Sequence, residues 1–235
     1  SFSPKKSAKS SPAKKFLPRP SANPSTLNPQ PSTKPVAVSE TIVREFFELH
    51  GFFVRQQRKH IAPKREDDEV DFYVHNPGGP ADESEVPFVL ESADDLKHLT
   101  RAVVVVKAWH TEVFTQAVLA HAPEMFRFAG PETFARATSA FGGPGPLTKI
   151  LVVPALPATG EARQQSIDVL RAKGIDAVIA FRTMLSDLID HIEVNRNYQK
   201  SDLLQIIRIL KNYDLFAAPQ LELFNMPKPK RKAKK

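Results

Sequence analysis

A mixed β-sheet flanked by helices, an α/β fold, is the architecture that this 235-residue sequence predicts. Three observations carry that expectation. Residues 101–110 (RAVVVVKAWH) hold four successive valines with no polar alternation, residues 39–51 are apolar with helical period and stop at a glycine, and strand and helix patterns alternate from residue 101 onward. A strand that is apolar on both faces is buried on both, so layers must lie above and below its sheet. Amphipathic helices provide those layers.

Each element has its own signal. In the first helix Ser39 is read as the N-cap, Glu40 as the early acid, and Ile42, Phe46 and Leu49 as one stripe beside Val43 and Phe47, with Gly51 as the stop. Residues 52–56 and 69–75 read as strands, the second ended by the turn sequence Asn76-Pro77-Gly78-Gly79-Pro80. Residues 80–100 form a polar, acidic excursion, expected as a loop with a short helix at 93–99. After the valine strand come helices at 111–119 and 131–140, a break at 141–146, a strand at 149–154, a helix at 161–172 closed by Gly174, and a strand at 176–181. Ser201 caps a last helix rich in Leu and Ile. No repeat of 20–50 residues is visible in the sequence.

The charge is unevenly spread. The chain carries 33 basic and 26 acidic residues, a formal net of +7. Residues 1–38 hold seven basic residues, among them Lys5, Lys6, Lys14 and Lys15, with eight prolines and no acid. Residues 226–235 (MPKPKRKAKK) hold six more, including Lys230, Arg231 and Lys232, again with no acid. The stretch 39–225 keeps 20 basic residues against all 26 acidic ones, a net of −6. Pro, Ser and Lys compositions of this kind bury too little apolar surface to offset chain entropy, so 1–38 and 226–235 are expected to be disordered tails around one α/β domain at 39–225. Ser3-Pro4-Lys5-Lys6 and Ser11-Pro12-Ala13-Lys14-Lys15 resemble the SPKK-type repeats of linker-histone tails, which lie along DNA. Clustered lysines on a flexible chain displace counterions from a polyanion and bind it without regard to sequence.

Several chemistries lose support. With no cysteine, the chain has no disulfide framework, thiolate metal site or thiol nucleophile. The sequence has no Walker loop, no GxGxxG after a strand and no GxSxG elbow, and its seven histidines show no HExxH or paired ligand spacing. Neither a membrane span nor an apolar signal segment is expected, which points to a cytoplasmic, nucleoid-associated protein, or a nuclear one in a eukaryote. One pair of charges stands out: Asp71 inside an apolar strand and Lys107 at the end of the valine strand, where a charge is costly unless paired or open to a site.

In these residues the chain resembles the PD-(D/E)XK nuclease superfamily, in its Mrr-like and Holliday-junction-resolvase-like restriction-endonuclease branches. The resemblance covers residues 39–153 and implies a helix, a three-strand meander, a crossover helix and a fourth strand (αβββαβ). It further implies that an Asp on the second strand and an acid two residues before a Lys on the third hold Mg²⁺, while the Lys steers water or stabilises charge. Asp71 and Lys107 match the outer positions, with Glu45 as the candidate acid on the first helix and Glu48 behind it. The middle position holds Val105, which cannot bind a metal. Glu69, two residues before Asp71, or Glu45 could complete a Mg²⁺ site with Asp71 and a phosphate. Alternatively, the core binds without cleaving.

Plainer roles stand beside these. Asp71 could be paired within the sheet, Lys107 could reach solvent along its stem, and Trp109 could close the edge of the core instead of stacking on a base. Arg55, Arg58 and Lys59, with Lys64 and Arg65, could line one side of a phosphate groove. The expected function is therefore chromosome-associated DNA binding by a degenerate PD-(D/E)XK core anchored by basic tails. An active Mg²⁺-dependent endonuclease and an RNA- or protein-interaction module are the alternatives; a homodimer is left open.

Overall fold

The computed structural model describes residues 37–57, 70–80, 85–158 and 160–216. Six strands form one mixed sheet: β1 (Phe53–Gln56), β2 (Phe72–His75), β3 (Val89–Leu90), β4 (Arg101–Val106), β5 (Thr148–Val153) and β6 (Ala177–Ala180). Their spatial order is β1-β2-β4-β5-β6-β3. The pairs β1/β2 and β2/β4 are antiparallel, while β4/β5, β5/β6 and β6/β3 are parallel. β4 is thus the strand at which the sheet changes sense.

The all-valine strand behaves as its composition requires. Along β4 the even residues Ala102 and Val104 join Phe72, Val74, Ile150, Val152, Ala177 and Ile179 in one core. Its odd residues Val103 and Val105 join Leu151, Val153 and Val178 in a second core on the opposite face. Alternation along a strand sends successive side chains to opposite faces, so four valines in a row serve two cores at once. The first core is covered by α1 (Ala37–Leu49), α5 (Phe181–His191) and α6 (Asp202–Asn212). The second is covered by α2 (Gln116–His121), a 3₁₀ segment at Pro123–Ala129, α3 (Pro131–Ala140) and α4 (Gly160–Ala172).

Helix α1 presents Ile42, Val43, Phe46 and Phe47 to the sheet, the stripe that its periodicity marks. Burying each such side chain contributes about 1.5–3 kcal/mol. The helix closes with a Schellman motif: Phe52 N–H donates to the Phe47 carbonyl at 3.0 Å and Gly51 N–H to Glu48 at 3.0 Å. Gly51 has φ 81°, which only glycine adopts freely, and the Phe47 and Phe52 rings meet edge-on across the motif at 5.4 Å. Helix α4 ends in the same way at Gly174, with Ile175 N–H donating to Leu170. In both places one glycine turns a helix directly into the next strand.

The structure corrects several expectations. Ser39 is not the N-cap, because α1 already begins at Ala37. The helix expected at 111–119 forms at Gln116–His121 behind a Thr115 cap, whose hydroxyl accepts from Val118 N–H. The acidic excursion at 80–100 contains β3, whose two residues pair with Val178 and Ile179 at the far edge of the sheet. So short a strand carries no periodicity, and its partner is remote in the chain. The short helix expected at 93–99 is a 3₁₀ helix, Ala93–His98. Ser201 caps α6 as expected, its hydroxyl accepting from Leu204 N–H at 3.3 Å.

Leu151 is fully buried in the second core, so Leu151→Ala should lower the unfolding free energy by about 2–5 kcal/mol in urea titrations. Phe53→Ala, at an exposed position of β1, should change it by less than about 0.5 kcal/mol.

Candidate functional site at the end of the central strand

The carboxyl ends of β4, β5 and β6 lie at one edge of the sheet, because those strands are parallel. The beginning of β2 meets the same edge, because β2 runs antiparallel to β4. That geometry brings Asp71 and Lys107 to one place. Asp71 N–H donates to the Val104 carbonyl at 3.0 Å, and its carboxylate Oδ2 accepts from Val106 N–H at 2.7 Å. Gln57 N–H in turn donates to the Asp71 carbonyl at 2.8 Å. The Asp71 side chain therefore extends the ladder past the last paired residue of β2, supplying the acceptor that a strand carbonyl would otherwise supply. Its residue is 5% exposed.

Lys107 N–H donates to the Val152 carbonyl at 3.0 Å, so the pairing of β4 with β5 continues one residue beyond the strand. Val105, two positions earlier, is 0% exposed and packs in the second core with Val70, Phe114 and Val153. The position where the resemblance asks for a second carboxylate is thus buried among apolar side chains. Trp109 packs on the same core, its ring 5.5 Å from Phe114. His110 follows, its Nε2 hydrogen-bonded at 2.8 Å to the Ser39 hydroxyl and its ring edge-on to Phe181 at 4.6 Å.

Ser39 and Phe181 stand in the first turns of α1 and α5, so His110 gathers the N-terminal ends of both helices at this edge. Gln56, the last residue of β1, donates from Nε2 to Glu40 Oε2 at 2.6 Å and brings a second carboxylate there. Glu45 stands more than a turn further along α1. It is 6% exposed, its Oε1 is 3.0 Å from Arg44 Nη2, and with Glu48, Tyr198, Lys200 and Ser201 it lines a groove of about 630 Å³ beside the start of α6. Arg55 is exposed on β1, opposite Tyr73.

No protein-family model, curated protein or solved structure matches this chain. Its chemistry must be read from the residues themselves.

Glu69, Arg58, Lys59, Lys5, Lys6, Lys14, Lys15, Lys230, Arg231 and Lys232 lie outside the described residues. Within the described residues, the edge combines a carboxylate tied to the backbone (Asp71), a carboxylate held by an amide (Glu40), the backbone of Lys107 and an imidazole (His110). Mg²⁺ needs oxygen ligands in near-octahedral geometry, which a valine in the middle of the set does not provide. Phosphate recognition asks for less: donors and positive partial charge, which His110 and two helix N-termini can supply. No spacing in the sequence ties Ser39, Glu40 and His110 to this edge, because only the packing of α1 and α5 on the sheet places them there. The signal that exists is local: a serine and a glutamate in the first turn of a well-marked helix.

Asp71→Ala should destabilise the fold by about 1–3 kcal/mol, since Val106 N–H then lacks its acceptor in a partly buried setting. Asp71→Asn retains an oxygen acceptor and should cost less. Chemical denaturation of the two variants side by side checks the ranking; an equal loss in both would show that the carboxylate charge, and not the ladder bond, matters.

Proposed function

We propose that this chain is a nucleic-acid-binding protein, in which a nuclease-like α/β core without hydrolytic activity is carried to DNA by the basic terminal stretches. The observation that supports it most is Val105, a fully buried aliphatic residue between Asp71 and Lys107. The Asp71 carboxylate supports it too, through its bond to Val106 N–H. The antiparallel, antiparallel, parallel pairing along β1, β2, β4 and β5 is compatible with an αβββαβ nuclease-like core, the restriction-endonuclease-like arrangement.

The charge distribution supports the DNA-binding half. Thirteen basic residues without an acid occupy 1–38 and 226–235, whereas the rest of the chain nets −6. Each phosphate neutralised releases counterions, which makes such binding steeply salt-dependent. At the strand-end edge, the exposed His110 and the N-termini of α1 and α5 offer a phosphate contact that positions the core on the polymer. No helix among the described residues is long and apolar enough to cross a membrane, and on this proposal the protein is cytoplasmic and chromosome-associated.

An active Mg²⁺-dependent nuclease is the second reading. What favours it is that Asp71 and Lys107 do meet at one strand end.

Supercoiled plasmid with Mg²⁺ or Mn²⁺ separates the two. The wild-type chain should leave it uncut; metal-dependent nicking that disappears in both Asp71→Ala and Lys107→Ala would overturn the inactive reading. Val105→Glu, checked for folding by circular dichroism, should gain metal-dependent nicking if the scaffold has lost only that carboxylate. For binding, fluorescence anisotropy on a labelled duplex across a salt series should show affinity falling steeply with salt. Deleting residues 1–33 and 226–235 should weaken binding and make the log–log slope shallower by about 0.9 for every phosphate that is no longer neutralised. Equal binding by the truncated chain would refute anchoring by the terminal stretches, and stronger competition by RNA than by DNA would redirect the assignment to RNA.

A further inference from the structure

Helices α1 and α5 pack side by side and run in the same direction. Their N-termini meet at His110, through the Ser39 bond and the Phe181 ring contact. Their C-termini meet at His50, Asp187 and His191. His50 directly follows α1, and Asp187 and His191 occupy adjacent turns on one side of α5. His50 Nε2 is 2.6 Å from Asp187 Oδ2, and His191 Nδ1 is 3.3 Å from Asp187 Oδ1. The two imidazoles stand edge to face at 5.3 Å, and the Asp187 carboxylate reaches both.

We propose that His50, Asp187 and His191 form a binding site for a divalent first-row transition ion, Zn²⁺ by preference. One ligand atom from each of the three lies within 4.8 Å of the others. A tetrahedral Zn²⁺ with bonds of about 2.0–2.2 Å spaces its ligand atoms by about 3.3–3.5 Å, so small side-chain rotations suffice. Two imidazoles and one carboxylate suit Zn²⁺ and disfavour Mg²⁺ or Ca²⁺, which take oxygen ligands. The ion would replace the proton that His50 Nε2 now shares with Asp187.

The surroundings favour a cation. Two helix C-termini direct their carbonyl partial charges at the cluster, and the carboxylate adds a full negative charge. Lys211 of α6 lies at the end of α5, and its ammonium donates to the Ile189 and Ile192 carbonyls at 2.6 and 2.7 Å. The His50 ring is seated edge-on against Phe46 at 5.0 Å, which orients it; coordination through His191 Nδ1 would replace the hydrogen bond that this nitrogen makes with the Asp187 carbonyl oxygen at 3.0 Å. Access is open, since the His191 side chain is 50% exposed while His50 and Asp187 are shielded. With three protein ligands the fourth position is left to water, on the His191 side.

The site stands at the opposite end of α1 from Asp71 and Lys107. Thirteen residues at 1.5 Å each put about 20 Å between the two ends. Its role is to clip α1 to α5 at their C-termini, so binding must stabilise the fold.

The test uses the full chain, stripped with a chelator and titrated with Zn²⁺ by calorimetry and with Co²⁺ by visible absorption. Expected are one tight equivalent, the intense absorption of tetrahedral Co²⁺, two imidazoles in zinc-edge X-ray absorption, and a higher unfolding midpoint with metal. His191→Ala and Asp187→Asn should each weaken Zn²⁺ by roughly tenfold or more. His191→Ala removes a half-exposed side chain and should keep the fold, so it remains informative if Asp187→Asn unfolds. His121→Ala, another exposed histidine bonded to the carbonyl four residues before it, should leave the affinity unchanged. Absence of a tight equivalent in the wild type, or equal affinity in His191→Ala, would overturn the proposal.

Discussion

Everything in this fold is arranged around the need to satisfy β4 on four sides. Its backbone must find partners on both edges and its side chains must find apolar cover on both faces, because Ala102 to Val105 are buried without exception. Antiparallel β2 on one edge and parallel β5 on the other meet the first requirement. The two helical layers meet the second. Where β2 falls short of the end of β4, the Asp71 carboxylate completes the ladder, so a charged side chain takes the place of a backbone acceptor.

That substitution links the stability of the sheet to the character of its strand-end edge. A carboxylate occupied by a backbone N–H is held in place, which is what a metal-binding or phosphate-facing site also demands. The neighbouring Val105 belongs to the core, and a core valine and a metal-binding acid cannot share one position. At residue 105 the core has the position, and the valine is fully buried. The edge retains the His110 contacts with Ser39 and Phe181 in the first turns of α1 and α5, together with the Asp71 and Glu40 carboxylates.

The parallel pairing of α1 and α5 gives the molecule two electrostatically opposite ends. Helix dipoles that add place partial positive charge near His110 and partial negative charge near His50, Asp187 and His191. The Asp71 and Glu40 carboxylates offset the first, while the Asp187 carboxylate adds to the second and favours a cation there. The α1 hydrophobic stripe that fixes its packing against the sheet thereby also fixes where each charge is welcome.

Much of the architecture was legible in local pattern. The helix ending at Gly51, the α4–Gly174 turn and the Ser201 cap each rest on contacts within a few residues, which leave periodicity and punctuation in the chain, and the valine strand shows in its unbroken apolar run. The charge contrast between the terminal stretches and the rest is likewise a property of composition. Residues that owe their position to long-range packing left no such trace. β3 has two residues and a partner far along the chain; Ser39 reads as a cap until His110, 71 positions away, takes its hydroxyl. His50 and Asp187 are 137 positions apart, so no spacing rule connects them, and only the side-by-side packing of α1 and α5 makes them neighbours. The sequence by itself determined the elements and the charge they carry, because those depend on neighbours in the chain; tertiary structure alone decided which side chains share an edge, because that depends on how helices settle on a sheet.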